Sequence, residues 1–237
     1  MAEAVERRTR YREQVRDEIK QVALGQIARD GAAALTLTGV AKEIGVSGPA
    51  LYKYFAGRDD LLTALIIDSY ASLAEALHHA AAASAGSPAR ERLHTVARAY
   101  RDWAVSQPHR YLLLAGTPAP RYDAPAETVD RARAVLAPLL EILAAGRSWP
   151  RAEALQAQLA AWIGEVPAVA EWVRDAIAPT VSATAPEVVL AGVVTAWVRL
   201  HGVVSIEAVG LFNGMGLEPA TVLALEMDAL ADAAGLD

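Results

Sequence analysis

Between Thr36 and Phe55 the chain carries two short apolar-faced stretches parted by one glycine, and this constrains its fold more than any other feature. Val40, Ala41 and Ile44 fall at the three- and four-residue steps of a buried helix face. Thr36 can cap that helix by accepting from an orphan N–H. Gly45 can take the left-handed conformation of a tight inter-helical turn. Ser47 offers a cap for a second helix, and Pro49 falls in its first turn, where a missing N–H costs nothing. Leu51 and Phe55, four apart, turn inward. Gly48, Ala50, Tyr52, Lys53 and Tyr54 are left for the outer surface and its flanks. The spacing predicts a helix-turn-helix.

The rest of the chain has the same period. Val15, Ile19, Val22, Ala23 and Ile27 mark a helix from Tyr11 to Arg29, stopped by Gly31. A long helix is predicted over Arg58–Ala83, followed by a turn at Ser84–Pro88. Further breaks fall at Pro108, Thr117–Pro125, Gly146–Pro150, Gly164–Pro167 and Pro179–Pro186, with alanine-rich helical segments between. Two helices close the sequence, Glu187–Phe212, ended by Asn213-Gly214, and Pro219–Ala234. Nothing reads as a strand, so the fold class is all-α.

Composition narrows the function. A hydrophobic content of 54% over 237 residues excludes a disordered chain. The absence of cysteine excludes disulfides, zinc fingers and thiol nucleophiles. Residues 1–58 carry ten Lys/Arg against seven Asp/Glu, whereas residues 59–237 carry twelve against twenty-one. A small basic end on an acidic body is expected where only one end meets a polyanion. The charged start MAEAVERRTRYREQ lacks the apolar stretch of a secretory signal. The apolar run Val188–Val198, eleven residues long, is too short to span a bilayer. These features predict a cytoplasmic protein without membrane contact, and no cofactor is expected.

A helix-turn-helix places its second helix in the DNA major groove. Small residues at that helix's start admit close approach to the bases, while Lys53 and the tyrosine hydroxyls can reach phosphates. The pattern Thr36, Val40-Ala41, Gly45-Val46-Ser47, Leu51-Tyr52, Phe55, Arg58, Leu61-Leu62 resembles the DNA-binding signature of the tetracycline-repressor-like family. It departs from the commonest form in having Tyr54 where histidine is frequent and Arg58 where lysine is frequent. Both keep hydrogen-bonding or cationic character. The resemblance implies a three-helix DNA-binding domain over residues 1–58 and a helical effector-binding and dimerisation domain over residues 59–237. It also implies a homodimeric repressor bound to an inverted-repeat operator on double-stranded DNA and released by a small molecule. The positions matched to DNA contact are Thr36, Lys42, Ser47, Gly48, Pro49, Ala50, Tyr52, Lys53, Tyr54 and Arg58.

Trp197-Val-Arg-Leu-His201-Gly202 is similar to a Trp-x-x-x-His-Gly element in the C-terminal domain of one subgroup of that family. Trp197 and His201 are four apart and share a helix face. With Tyr100, Trp103, His109 and Trp162 they are the candidate effector contacts, suited to a small apolar or aromatic ligand. The resemblance places the dimer on the last two long helices. Ala191, Thr195, Gly202 and Ser205 would allow close approach there, with Leu223, Met227 and Leu230 opposite. The run Arg7, Arg8, Arg10, Arg12 fits a solvated tail or a contact to phosphate or minor groove. His78-His79 lacks a third metal ligand at useful spacing. Gly45-Val46-Ser47-Gly48-Pro49 puts proline where a nucleophile elbow needs glycine. No catalytic set emerges, so an enzyme is not expected. A regulator controlled by a protein partner, and a helical carrier or enzyme with a vestigial helix-turn-helix, stay open as alternatives.

Overall fold

The computed structural model describes residues 2–116, 122–147, 149, 152–178 and 184–237, with residues 2–5 by backbone only. Every regular element among them is helical, as the apolar spacing requires. The predicted breaks at Thr117–Pro125, Gly146–Pro150 and Pro179–Pro186 lie partly outside these residues. The chain divides into two compact units, Met1–Tyr70 with Gln107–Thr128, and Ala71–Ser106 with Val129–Asp237. The boundary expected at residue 58 coincides instead with the start of a long helix, and the first unit continues through its first half.

In the first unit, helix α1 spans Ala2–Asp30. It begins well before the expected Tyr11, because Ala, Glu, Arg and Gln propagate a helix without needing an apolar period. Helix α2 (Leu37–Ile44) starts at Thr36, whose side chain accepts from Gly39 N–H at 3.1 Å. Gly45, at φ 81°, ends it, with its own N–H on Lys42 O and that of Val46 on Ala41 O. Helix α3 (Gly48–Leu51) is a single turn and stops four residues before Phe55, which the expected four-residue spacing had placed on the same helix as Leu51. Its one turn passes into single hydrogen-bonded turns, Tyr54 N–H to Leu51 O and Phe55 N–H to Leu51 O. Ser47 occupies the cap position, yet its side chain makes no capping hydrogen bond. Helix α4 (Arg58–Ala83) follows, and α6 (Pro108–Ala115) joins the same unit. Ile19, Ala23, Val40, Leu51, Phe55 and Leu62 are buried in one core to which α6 adds Leu113. Val15, Val22 and Ile44 pack at its margin.

The second unit holds the remainder of α4, α5 (Ala89–Ser106), nearly all of α7 (Glu127–Leu143), α8 (Glu153–Glu165), α9 (Pro167–Ile177), α10 (Pro186–Ala208) and α11 (Pro219–Ala234). Helix α10 stops short of the expected Phe212. Gly210, at φ 75°, donates to Glu207 O while Leu211 N–H reaches back to Ile206 O, and this pair of bonds closes the helix. The eleven-residue apolar run is thus part of a 23-residue helix of hydropathy 1.7, long and apolar enough by composition to cross a membrane. Val189, Leu190, Val193, Ala196, Leu200 and Val204 bury its inner face in this unit. A Cβ added at Gly192 would meet the Trp149 indole at 2.7 Å, so the glycine seats a tryptophan of its own chain.

Helix α7 contains Pro138. A proline has no N–H for the carbonyl four residues earlier, here Ala134. His78 of α4 serves that carbonyl instead, Nε2–H to O at 3.0 Å. Ion pairs tie the outer turns together. Arg101 grips Glu207 with two nitrogens, at 2.8 and 2.5 Å, and Arg199 meets Glu226 at 3.0 Å.

Candidate nucleic-acid interface

The two short helices hold their inner side by burial and leave the outer side to water. Leu37, Val40, Ala41, Leu51 and Phe55 are all buried. Thr36, Lys42, Ser47, Pro49, Tyr52 and Lys53 are exposed, and Gly48, Ala50, Tyr54 and Arg58 are half-buried. Seven of the ten positions matched to DNA contact thus lie on α2, α3 and the turns after α3, with Thr36 and Ser47 at the cap positions of the two helices. Neither Lys42 nor Lys53 has an ion-pair partner among the described residues. Glu43, the acid beside Lys42, is held by Arg29 at 2.9 Å. The face therefore offers free cations and hydroxyls next to a matched acid.

Three arginines fix this face from behind. Arg58 donates through Nε to Leu35 O and through Nη2 to Ala32 O, both at 2.9 Å. Those carbonyls belong to the turn leading into α2, so Arg58 anchors the first helix. Arg12 Nη2 donates to Lys53 O at 3.1 Å, and Arg16 Nη1 donates to Tyr54 O. The Arg16 guanidinium also lies 4.2 Å from the Phe55 ring centre. A segment that leaves its α geometry after one turn exposes carbonyls, and α1 supplies the missing donors. Sequence reading singled out Arg12 without this role and passed over Arg16. The signal was present: Arg8, Arg12 and Arg16 recur at four-residue steps along one side of α1.

The candidate effector residues are dispersed. Tyr100 and Trp103 are buried on α5, with Trp103 Nε1–H donating to Ser72 Oγ at 3.0 Å. His109 belongs to the first unit, where it lines a cavity of about 390 Å³ with Ile27, Gly31, Pro108 and Leu113. Burial, reinforced by the Arg110 charge, holds its imidazole below the ordinary histidine range. Trp162 is exposed on α8. Trp197 and His201 stack on one face of α10, ring centres 6.0 Å apart, with Trp197 47% exposed. Another cavity, of about 370 Å³, lies wholly in the second unit, lined by His78, Ala82, Arg92, Pro138, Glu141 and Ala176. None of the six residues lines it.

The candidate dimer residues divide by burial. Ala191, Leu223, Met227 and Leu230 are at most 2% exposed, packed inside their own chain. Thr195 and Ser205 spend their hydroxyls on Ala191 O and Gly202 O. Gly202 is exposed, and nothing would touch a Cβ built on it. Beside it α10 presents Val198 and Ile206, with Val209 just past its end, and α11 presents Leu225, 67% exposed. Sequence reading missed these exposed apolar residues.

The comparisons with known proteins cover both units. Residues 19–65 match bacterial regulatory proteins of the tetR family, and residues 93–230 match the tetracycline-repressor-like C-terminal domain. The HTH-type transcriptional regulators Mb1846 of Mycobacterium bovis and Rv1816 of Mycobacterium tuberculosis are each 36% identical over 143 residues, 60% of this chain and 61% of theirs. The chain thus matches about three fifths of the length of these curated relatives. The crystal structure of SCO4313 shares 40% identity at a TM-score of 0.77, covering 94% of this chain and 98% of that one. The fold recurs at 14% identity and a TM-score of 0.55 in FadR of Bacillus subtilis, solved with stearoyl-CoA, over 91% of this chain and 97% of that one. This chain belongs to the tetracycline-repressor-like family of bacterial transcriptional regulators.

Proposed function

We propose that the protein is a homodimeric repressor that reads an inverted-repeat operator and releases it when a small molecule enters the second unit. One observation carries the reading. Exposed Lys42, Tyr52 and Lys53 stand on a helix-turn-helix whose two halves are fixed by arginine clamps. Duplexes selected from a random pool should share an inverted repeat with half-site centres about one helical turn or a multiple apart. Lys53→Ala should weaken binding to every sequence alike and flatten its salt dependence, since a phosphate contact carries no base information. A changed preference at one base pair would give Lys53 a base contact instead. A protein that selects no duplex yet binds a small molecule tightly would be a carrier with a vestigial helix-turn-helix.

Dimerisation rests on the exposed apolar residues Val198 and Ile206 along α10, Val209 just past its end and Leu225 on α11, able to close over the open surface at Gly202. Two copies would thereby pair α10 with α10 and α11 with α11 as a four-helix interface. The effector reading moves from the six aromatic and histidine positions to the cavity between α4, α5, α7 and α9. It has alanine and proline walls with His78, Arg92 and Glu141 converging on it, the usual form of a small-molecule site. A mainly apolar ligand with a polar end suits that lining, and a relative's fold holding an acyl thioester agrees with it. Because α4 lines this cavity and continues into the first unit, a ligand that prefers one position of α4 would shift the population of operator-competent molecules.

A further inference from the structure

We propose that the N-terminal turns of α1 make a second contact with the duplex, in which Arg7, Arg8 and Arg10 hold backbone phosphates flanking the base pairs read by α3. The inference rests on the DNA-binding reading above and extends its footprint. Residues 6–14 lie within a continuous helical rod, on which Arg8 shares the side of Arg12 and Arg16 while Arg7 and Arg10 project from other sides. That rod is pinned to the end of the recognition segment by Arg12 on Lys53 O and Arg16 on Tyr54 O, with Arg16 packed over Phe55. Arg8 continues the same row one turn beyond Arg12, about 6 Å farther along the axis and less than two base-pair steps of ~3.4 Å. Arg7, Arg8 and Arg10 are exposed and have no ion pair among the described residues. Within residues 6–16 five arginines stand against Glu6 and Glu13, both exposed, which leaves that stretch basic, while Glu3 and Asp17 bound it in sequence.

Width decides which part of the duplex is reached. A helix with its side chains is about 10–12 Å across, whereas the minor groove is about 6 Å wide. Helical α1 is too broad to enter that groove, so its guanidinium forks meet the phosphates at the rim, which they fit geometrically. Arg12 and Arg16 are positioning residues in this arrangement, because each gives a donor to a carbonyl at the end of the second short helix.

The test compares wild type with the triple variant Arg7→Ala, Arg8→Ala, Arg10→Ala on a duplex selected by wild type, long-flanked or trimmed to the repeat. Alanine at exposed helix positions preserves helicity, which circular dichroism verifies. On the long duplex, affinity at low salt should fall on the order of tenfold, and the log–log salt slope should flatten by about 0.9 for each phosphate no longer neutralised. Base preference should stay as it was, and trimming should cost wild type more than the variant. Equal affinity and equal salt slope on both duplexes would overturn the contact. So would a new base preference in the flanks, which would assign groove readout. Failure of wild type to select any duplex sinks the DNA-binding reading itself, and that result is separate from the other two.

Discussion

Arg58 shows how a residue can fit a family signature while its visible work is structural. Its guanidinium spends two nitrogens on the carbonyls of Ala32 and Leu35, holding the turn before α2. Arg58→Ala should lower the stability of the first unit by about 1.5–3 kcal/mol, the usual range for hydrogen bonds from a charged group. Arg58→Lys keeps the charge but loses the planar fork, so it should recover only part of that loss. Urea midpoints of the three proteins measure this. If Arg58→Ala leaves the midpoint unchanged but flattens the salt dependence of duplex binding, the arginine serves a phosphate instead. His109 gives a pH signature at the same scale. Burial, then Arg110, lowers its pKa in the fold, so the unfolded chain takes up the proton first as pH falls. Stability from the neutral imidazole should be complete above about pH 6.5 and decline below it. His109→Gln should flatten the urea midpoint between about pH 7.5 and 5.5 relative to wild type.

Among elements, α11 separates two leucines that the sequence does not distinguish. Leu223 is 2% exposed and Leu225 is 67% exposed, two residues apart on one helix. Leu223→Asp should unfold the second unit, since a carboxylate without a partner would lie in its core. Leu225→Asp should leave the helix content intact and yield monomers with weakened operator binding, read by sedimentation. A folded dimer from Leu225→Asp would move the interface off this surface. Gly192→Ala should destabilise by about 1–3 kcal/mol, as its methyl group meets the Trp149 ring. The contrast shows what was legible. The α2–α3 unit depends on Thr36, Gly45 and a four-residue spacing, all local, so its outline is legible in the sequence. The apolar row of α11 that packs into its own core has the same spacing in sequence as an interface row would have, so spacing alone put Leu223, Met227 and Leu230 in the expected interface. The cavity draws on four helices far apart in the chain, and no spacing rule links His78 to Glu141 or Ala176. The early start of α1 was missed because propensity, not apolar period, carries Ala2–Tyr11.

At the scale of the whole molecule, one helix belongs to both units. Helix α4 is continuous from Arg58 to Ala83, and the division falls after Tyr70. If it transmits the effector signal, softening it at the division should uncouple the two ends without abolishing either. Ala71 and Glu75 are exposed, so glycine at both positions removes no core contact and costs about 1 kcal/mol each in helix propensity. The double variant should bind operator and ligand each within about threefold of wild type, while ligand no longer weakens operator binding. Coupling in such systems is typically about 1–3 kcal/mol, large enough to measure by titrating operator with and without ligand. An unchanged response would mean the signal travels by another route. Net charge acts at this scale too. The basic first 58 residues and the acidic remainder should orient the molecule as it approaches DNA, an effect that fades as salt shortens the screening length.

The contact between His78 and the helix interrupted by Pro138 carries a lesson about inheritance. The proline leaves Ala134 O without its ordinary donor, and a histidine 56 residues earlier in the chain provides one. A lineage that lost the proline would regain the backbone donor and free the histidine to drift, whereas one that lost the histidine first would strand the carbonyl. The order of the two changes therefore matters. His78→Ala should cost about 0.5–1 kcal/mol more in the native background than beside Pro138→Ala. A double-mutant cycle that closes additively would show instead that water serves the carbonyl equally well, and that the two positions are free to vary apart.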